Sequence, residues 1–286
     1  MSIARSANYS LRSTEVPLNI FDYLWQALKH YSLIAVVGVY LVRSTYQRTL
    51  LGPLWLLVQS SLPLVGMIAV FQHVPSFQSD LPYPLFLISG MALWNIVDQG
   101  LKRGMRNLNR VKRIRKVIHV PRIAMTIAGL ALPLLHHLFF VAFLIGTVVY
   151  LWFVDGRIFI VISGNLIYAF ISVLLTIMLV IGISAINSVL FMIARDIRYI
   201  MAPLIGFWFF FTPVVYPLEI LPQSWRTVSE YANPMTSIIE LYRYGLFGIG
   251  GVEPQACVIS AAVTVCIFLF GVWFMMRSDW ILDEIL

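Results

Sequence analysis

The sequence predicts an all-α membrane protein: six transmembrane helices, an N-terminal amphipathic helix at the membrane interface, and short helices in the polar connections. Three observations lead there. Of the 286 residues, 60% are hydrophobic and 12% charged; soluble domains run near 45–50% and about 25%, so the chain has too little polar surface to clothe a core in water. The apolar residues fall in long uncharged runs, as a lipid solvent requires. The basic residues collect between those runs, and seventeen of the 20 fall on one side of a six-span arrangement.

Residues 1–52 read as a polar tail followed by the amphipathic helix. The opening MSIARSANYSLRSTEVP lacks the apolar core of a signal peptide. Between Leu18 and Val42, Asn19, Asp22, Gln26 and Lys29/His30 recur at helical spacing as one polar stripe. The purely apolar part, from Tyr31, would reach only about 18 Å, well short of a hydrocarbon core of roughly 30 Å. A helix lying in the interface fits this pattern; the alternative is a half-length extension of the first span.

Residues 53–286 read as the six-helix domain. Gly52-Pro53 starts the first span, 53–72. The second, 83–101, holds Asp98 near its end, and the third, 123–154, holds His136 and His137. Asp155-Gly156-Arg157 forms a tight turn. The run 158–194 is too long for one untilted span and too short for two, so one long helix is expected. The fifth span is expected at 199–216 and the sixth at 255–276. Only Arg157, Arg226 and Arg243 fall on the basic-poor side, so the positive-inside rule places both termini in the cytoplasm and the chain in the inner (plasma) membrane. The net charge of +7 is thereby topogenic, with no call for a nucleic-acid partner.

Two connections carry more than charge. From Lys102 to Arg122, Met105, Leu108, Val111, Ile114 and Ile118 mark one face of an amphipathic helix. Its flanking basic residues suit anionic membrane lipids, and its apolar stripe suits a groove on a soluble partner; the two readings are compatible. Between Pro217 and Pro254, Leu221-Pro222 and Asn233-Pro234 each read as a helix start. Two short helices dipping into the outer membrane boundary follow, an ordinary structured loop being the alternative. In the second, Ile238, Ile239, Leu241, Tyr242 and Leu246 form an apolar face and Glu240 can pair with Arg243 on the other. Aromatic residues are abundant, and most serve as interfacial anchors. Trp55, Trp94, Trp208, Phe211 and Tyr216 are candidates for stacking on sugar rings along a pathway.

Several classes of chemistry find no residues here. The sequence has no phosphate-binding G-x-x-x-x-G-K-[ST] loop, no H-E-x-x-H, and no Cys/His spacing suited to a metal. Cys257 and Cys266 lie on opposite sides of one helix, so no disulfide joins them. His136 and His137 point about 100° apart, which suits helix packing over a proton relay. A membrane-embedded transferase on lipid-linked sugars needs acids gathered at one depth, yet Asp98 and Glu219, Glu230 and Glu240 stand on opposite sides. An ion-coupled flippase needs ionisable groups near the midplane, and the spans are charge-poor.

Four strings, in order, resemble the type-2 ABC exporter permeases of the polysaccharide-export branch: RSTYQRTLLGPLW (Arg43–Trp55), ARDIRYIMAPL (Ala194–Leu204), TPVVYP (Thr212–Pro217) and NPMTSIIELYR (Asn233–Arg243). The resemblance covers nearly the whole chain beyond the first 17 residues. It implies a non-enzymatic permease that pairs with a second copy of itself above two ATP-binding cassette subunits, with ATP and magnesium held by those partners and no cofactor on this chain. Leu18–Val42 would be the interface helix, and Lys102–Arg122 a coupling helix engaging the ATPase through Arg106, Arg110, Lys112, Arg113 and Ile114. Trp225, Glu240 and Arg243 would belong to an extracytoplasmic gate. Substrates of that branch are glycans on a lipid diphosphate, such as O antigen, capsule or teichoic acid precursors, whose phosphates Arg43 and Arg48 would meet.

Overall fold

The computed structural model describes residues 19–74, 81–110, 121–157, 159–160, 164–249 and 253–278. Every regular element among them is helical. The expected tail at 1–17, Leu18 at the start of the amphipathic stretch, and Lys112, Arg113 and Ile114 of the basic connection lie outside the described residues.

The N-terminal amphipathic stretch is two helices, α1 (Ile20–Lys29) and α2 (Tyr31–Tyr46), broken at His30. Asn19 caps α1 by accepting from the Phe21 amide at 3.3 Å. Tyr23 and Ala27 are buried, while Asp22, Gln26 and Lys29 face outward with Phe21 and Trp25. The mixed outer face suits a membrane surface, where apolar rings and a lysine head separate by depth. The apolar α2 packs against the helices that open the third span.

A 3₁₀ turn at Gly52–Leu54, with Pro53 in its first turn, leads into α3 (Trp55–Phe71), which contains Pro63. Helix α4 (Tyr83–Arg110) runs 28 residues without interruption, so the basic connection begins as a direct extension of the second span, beyond its expected end at residue 101. The third span is divided: α5 (Arg122–Ala128) and α6 (Ala131–Asp155) meet at Gly129-Leu130. Gly156, at φ 67° in the left-handed region, ends α6.

Two expected boundaries are corrected. The fourth helix, α7 (Leu166–Ile193), does not fill 158–194 but starts after a turn at Gly164-Asn165, residues that favour turns over a helix interior. The fifth, α8 (Ile197–Phe210), stops well before 216. Pro213 lacks an amide hydrogen and disfavours helical geometry in the residue before it, so the helix ends as the TPVVYP string begins. At 14 residues, α8 is only about 21 Å long. After a 3₁₀ turn at Leu218–Ile220 come the two short helices, α9 (Gln223–Ala232) and α10 (Pro234–Phe247), then α11 (Pro254–Arg277).

Four stretches are long and apolar enough to cross a membrane: Gly52–Phe71, Arg122–Asp155, Leu166–Ile193 and Pro254–Arg277. Helix α4 has the length but carries polar residues, and its position explains this. It packs against α3, α5, α6, α7, α8 and α10, and Leu85, Leu87, Leu93, Ile96 and Val97 are fully enclosed. A helix surrounded by other helices needs little lipid-facing surface. The tightest approach is between α7 and α11, where the Gly182 and Gly271 backbones meet so closely that a Cβ on either would collide. Small residues allow this backbone-to-backbone packing in membranes.

Candidate functional site

The turn after α8 is held from three directions. Asn233, in the bend between α9 and α10, caps α10 by accepting from the Met235 amide at 3.1 Å, as its pairing with Pro234 predicts. The same Oδ1 accepts from Trp208 Nε1 at 2.8 Å. Its Nδ2 donates to the Phe211 carbonyl at 3.1 Å and to Thr212 Oγ1 at 2.9 Å. Ser229 Oγ donates to the Phe211 carbonyl at 3.3 Å and lies 2.9 Å from Thr236 Oγ1. From α4, the Tyr83 hydroxyl donates to the Val215 carbonyl at 3.1 Å.

The third hold is Arg243. Expected to pair with Glu240 on the face of α10 opposite its apolar one, it is 3% exposed at the meeting of α10, α4 and the turn. Nη1 donates to Glu240 Oε1 at 2.5 Å and to the Pro213 carbonyl at 2.9 Å; Nη2 donates to the carbonyls of Val214 at 3.1 Å and Phe86 at 3.2 Å. The Phe86 ring lies 3.5 Å from the guanidinium carbon. A cation removed from water needs this replacement of counter-charge and acceptors, and the aromatic face adds attraction. Gly90 makes room: a Cβ there would stand 2.8 Å from both Arg243 Nη2 and the Val214 carbonyl oxygen. Farther out, the Tyr231 hydroxyl bonds the Glu253 carboxylate, which, with some burial, pushes the phenol above its ordinary pKa and links α9 to the start of α11.

The structure brings several expected residues together here. Trp94 is buried on α4 and meets Trp208 edge-on at 5.6 Å and Phe209 at 5.4 Å. Phe211 is half exposed beside Phe207 at 4.6 Å, and the Tyr216 hydroxyl donates to the Phe210 carbonyl at 2.8 Å, outside the helix expected for it. Trp225 is exposed on α9 and makes no part of the hold. Trp55 stands apart, packed on Tyr46, Leu56 and Leu132 at the opposite end of the bundle. Sequence reasoning passed over Phe86, Gly90, Pro213 and Val214, because backbone carbonyls and a space-making glycine leave no side-chain signature. An arginine set in a largely apolar helix was the available signal.

At that opposite end, Arg43 is exposed beside a shallow depression lined by Ala35, Val36, Val39, Tyr40 and Gln47. Arg48 is exposed with a left-handed backbone, φ 65°. Arg106 is exposed on α4, its Nε donating to the Lys102 carbonyl at 3.3 Å; Arg110 is the last residue of α4. The acids do not converge: Asp98 pairs with Lys102 at 2.5 Å, Glu230 with Arg226 at 3.1 Å, and Glu240 with Arg243. His137 meets the Ala92 carbonyl across helices and His136 the Leu132 carbonyl within its own, the packing roles expected of them.

The fold defines a class: a helical membrane protein with a polar-clamped pair of short helices at one end of the bundle. The comparison with known families gives that class its name. Residues 33–247 match the ABC-2 type transporter model, and the chain belongs to that family. It is 23% identical over 223 residues to an O-antigen export system permease protein, RfbA, of Klebsiella pneumoniae, covering 74% of this chain and 79% of that one. A protein of the same name from Myxococcus xanthus is 35% identical over 72 residues, 25% of this chain and 28% of its own.

Proposed function

We propose that this chain is the permease subunit of an ATP-driven exporter that moves lipid-linked polysaccharide from the cytoplasm across the inner membrane. Two copies form the pathway, and two separate ATP-binding cassette subunits hydrolyse ATP beneath them. Both relatives are O-antigen export permeases by name, which supports a polysaccharide cargo, and the missing phosphate loop fits hydrolysis by a partner.

One observation carries the reading. Helix α8 is only about 21 Å long, and its outer end is fastened through Asn233 and Arg243 to the pair of short helices α9 and α10, and through Tyr83 to the start of the second span. This is a fixed outer rim on a helix whose own flank, at Ile200, Leu204 and Phe207, is exposed. Helix α3 likewise exposes Leu57, Leu62 and Val65. Closed two-fold pairing is the commonest way to build a path between copies, and these flanks are the surfaces offered for it. The six spans, both termini inside, Arg106 to Ile114 at the ATPase, and Arg43 and Arg48 at the lipid diphosphate complete the reading.

The test is co-expression with a candidate ATP-binding cassette subunit from the same organism, followed by mass measurement of the purified complex. Two permeases with two ATPases is the expected composition. One permease with two ATPases, or no association, contradicts it.

A further inference from the structure

Helices α3 and α8 share a string: P-L-V-G at Pro63–Gly66 and P-L-I-G at Pro203–Gly206. In both, the proline and the glycine are exposed, and a Cβ on either glycine would meet no atom within 4 Å. Proline has no amide hydrogen, so the carbonyl four residues earlier loses its helical donor. Those carbonyls belong to Gln59 and Tyr199, which are exposed as well. Positions i, i+4 and i+7 lie along one side of a helix. Each helix therefore presents in one line a polar residue, a carbonyl deprived of its helical donor, and a bare glycine.

The remainder of α3 indicates what such a line is built to meet. Leu56, Ser60 and Leu64 mark its buried side, which leaves two flanks at about 100° to either hand. One carries Leu57, Val58, Val65 and Ile68, and its Ser61 hydroxyl is spent on the Leu57 carbonyl at 2.7 Å. That flank suits hydrocarbon. The other carries Gln59, Pro63, Gly66 and Val70. Gln59 and Pro63 straddle the middle of the 20-residue stretch Gly52–Phe71, where lipid satisfies neither the side-chain amide nor the carbonyl. A second copy's helix packed there brings backbone amides already spent within itself. A hydroxyl-rich chain brings a donor and an acceptor at every hydroxyl, and the Gln59 amide answers with two donors and an acceptor. The bare glycine lets a ligand approach the backbone closely.

We propose that the Gln59–Pro63–Gly66 flank of α3, repeated by Tyr199–Pro203–Gly206 on α8, is a saccharide-binding strip along the pathway. The groups that take the sugar hydroxyls are the Gln59 side-chain amide and the backbone carbonyls of Gln59 and Tyr199. The strip rests on the reading of the chain as a glycan permease and adds to it the residues that hold the cargo in passage. A few neutral hydrogen bonds on a low surface bind weakly enough to release a chain that must move on, as conduction requires.

The test uses the permease with its ATP-binding cassette subunit in vesicles, and lipid-linked glycan extracted from the host as the probe. ATP hydrolysis is followed against glycan concentration. Gln59→Leu removes the amide, and Pro63→Ala returns a donor to the Gln59 carbonyl. Each raises the half-saturating concentration about two- to ten-fold, the factor of one neutral hydrogen bond. Gln59→Asn, which keeps the amide, recovers part of the loss, and Val58→Ala on the lipid flank changes nothing. Pro63→Ala also raises the unfolding midpoint, because alanine is the better helix former, so weaker glycan response in a more stable protein separates binding from damage to the fold. Should Gln59→Leu fail to fold, Pro203→Ala on α8 supplies the second measurement. Half-saturating concentrations that stay at the wild-type value overturn the strip. Variants that instead separate the two copies, read from the mass of the complex, assign these flanks to packing between copies and overturn it as well. A wild-type complex that the glycan does not stimulate contradicts the glycan-permease reading and the strip with it, whereas a stimulated wild type with unaltered variants contradicts the strip alone.

Discussion

Arg243 Nη1 lies 2.5 Å from Glu240 Oε1, one turn earlier on α10, and the guanidinium also takes three backbone carbonyls from outside its own helix. The pair is therefore the joint between a short helix, the turn after α8 and the start of α4. Replacing Arg243 by Leu leaves Glu240 without its counter-charge and takes a donor from three carbonyls, of which that of Phe86 keeps Ser89 Oγ at 2.9 Å. A loss of about 3–5 kcal/mol is expected, as for other broken buried pairs, and is read as a lowered unfolding midpoint in nanodiscs. Arg243→Lys recovers only part, since one ammonium lacks the reach of the planar fork.

Gly90 and Gly66 make a matched comparison. A Cβ at Gly90 would press on Arg243 and Val214 at 2.8 Å, and one at Gly66 meets nothing within 4 Å. Gly90→Ala is expected to destabilise by about 1–3 kcal/mol through overpacking. Gly66→Ala is expected to be neutral or slightly stabilising, because alanine is the better helix former. Equal effects at the two positions would deny that Arg243 occupies the space beside Gly90.

Asn233 and Trp208 act together through the 2.8 Å bond between them. Asn233→Ala removes a helix cap, at about 0.5–2 kcal/mol, leaves the Trp208 indole without its acceptor, and takes one of two donors from the Phe211 carbonyl. Trp208→Phe combined with Asn233→Ala should cost less than the two losses added, a non-additivity read from a double-mutant unfolding cycle.

Orientation is tested by labelling. In a background with Cys257 and Cys266 replaced by Ser, Thr227→Cys on α9 should react in intact cells with a maleimide that cannot cross membranes. Arg106→Cys should react only after permeabilisation. The reverse pattern would invert the topology drawn from the basic residues.

How much of this was readable beforehand depends on where each partner sits in the chain. The first and last spans, α3 and α11, are long uncharged runs, and hydropathy located both to within a residue or two. The Asn233-Pro234 start of α10 was equally plain, since a cap and its proline are neighbours. The fourth span was misjudged at its beginning, because residues 158–165 are nearly as apolar as the helix that follows and only Gly164-Asn165 marks the turn. Pro213 could have ended α8 at its true boundary, but the aromatic run before it masked the signal. The burial of Arg243 was least legible. Its acceptors come from Pro213 and Val214, about thirty residues back, and from Phe86, 157 positions away, and carbonyls look alike in every sequence.

The central claim is that this chain conducts glycan on energy supplied by a partner. Its most direct test is reconstitution of the permease with its ATP-binding cassette subunit in vesicles loaded on the ATPase side with lipid-linked glycan. The account predicts glycan appearing on the far side only with ATP and magnesium. It also predicts loss of that transport, with topology unchanged, when Arg110, Lys112 and Arg113 are neutralised together. Translocation that proceeds without ATP, or that follows an ion gradient instead, would contradict it.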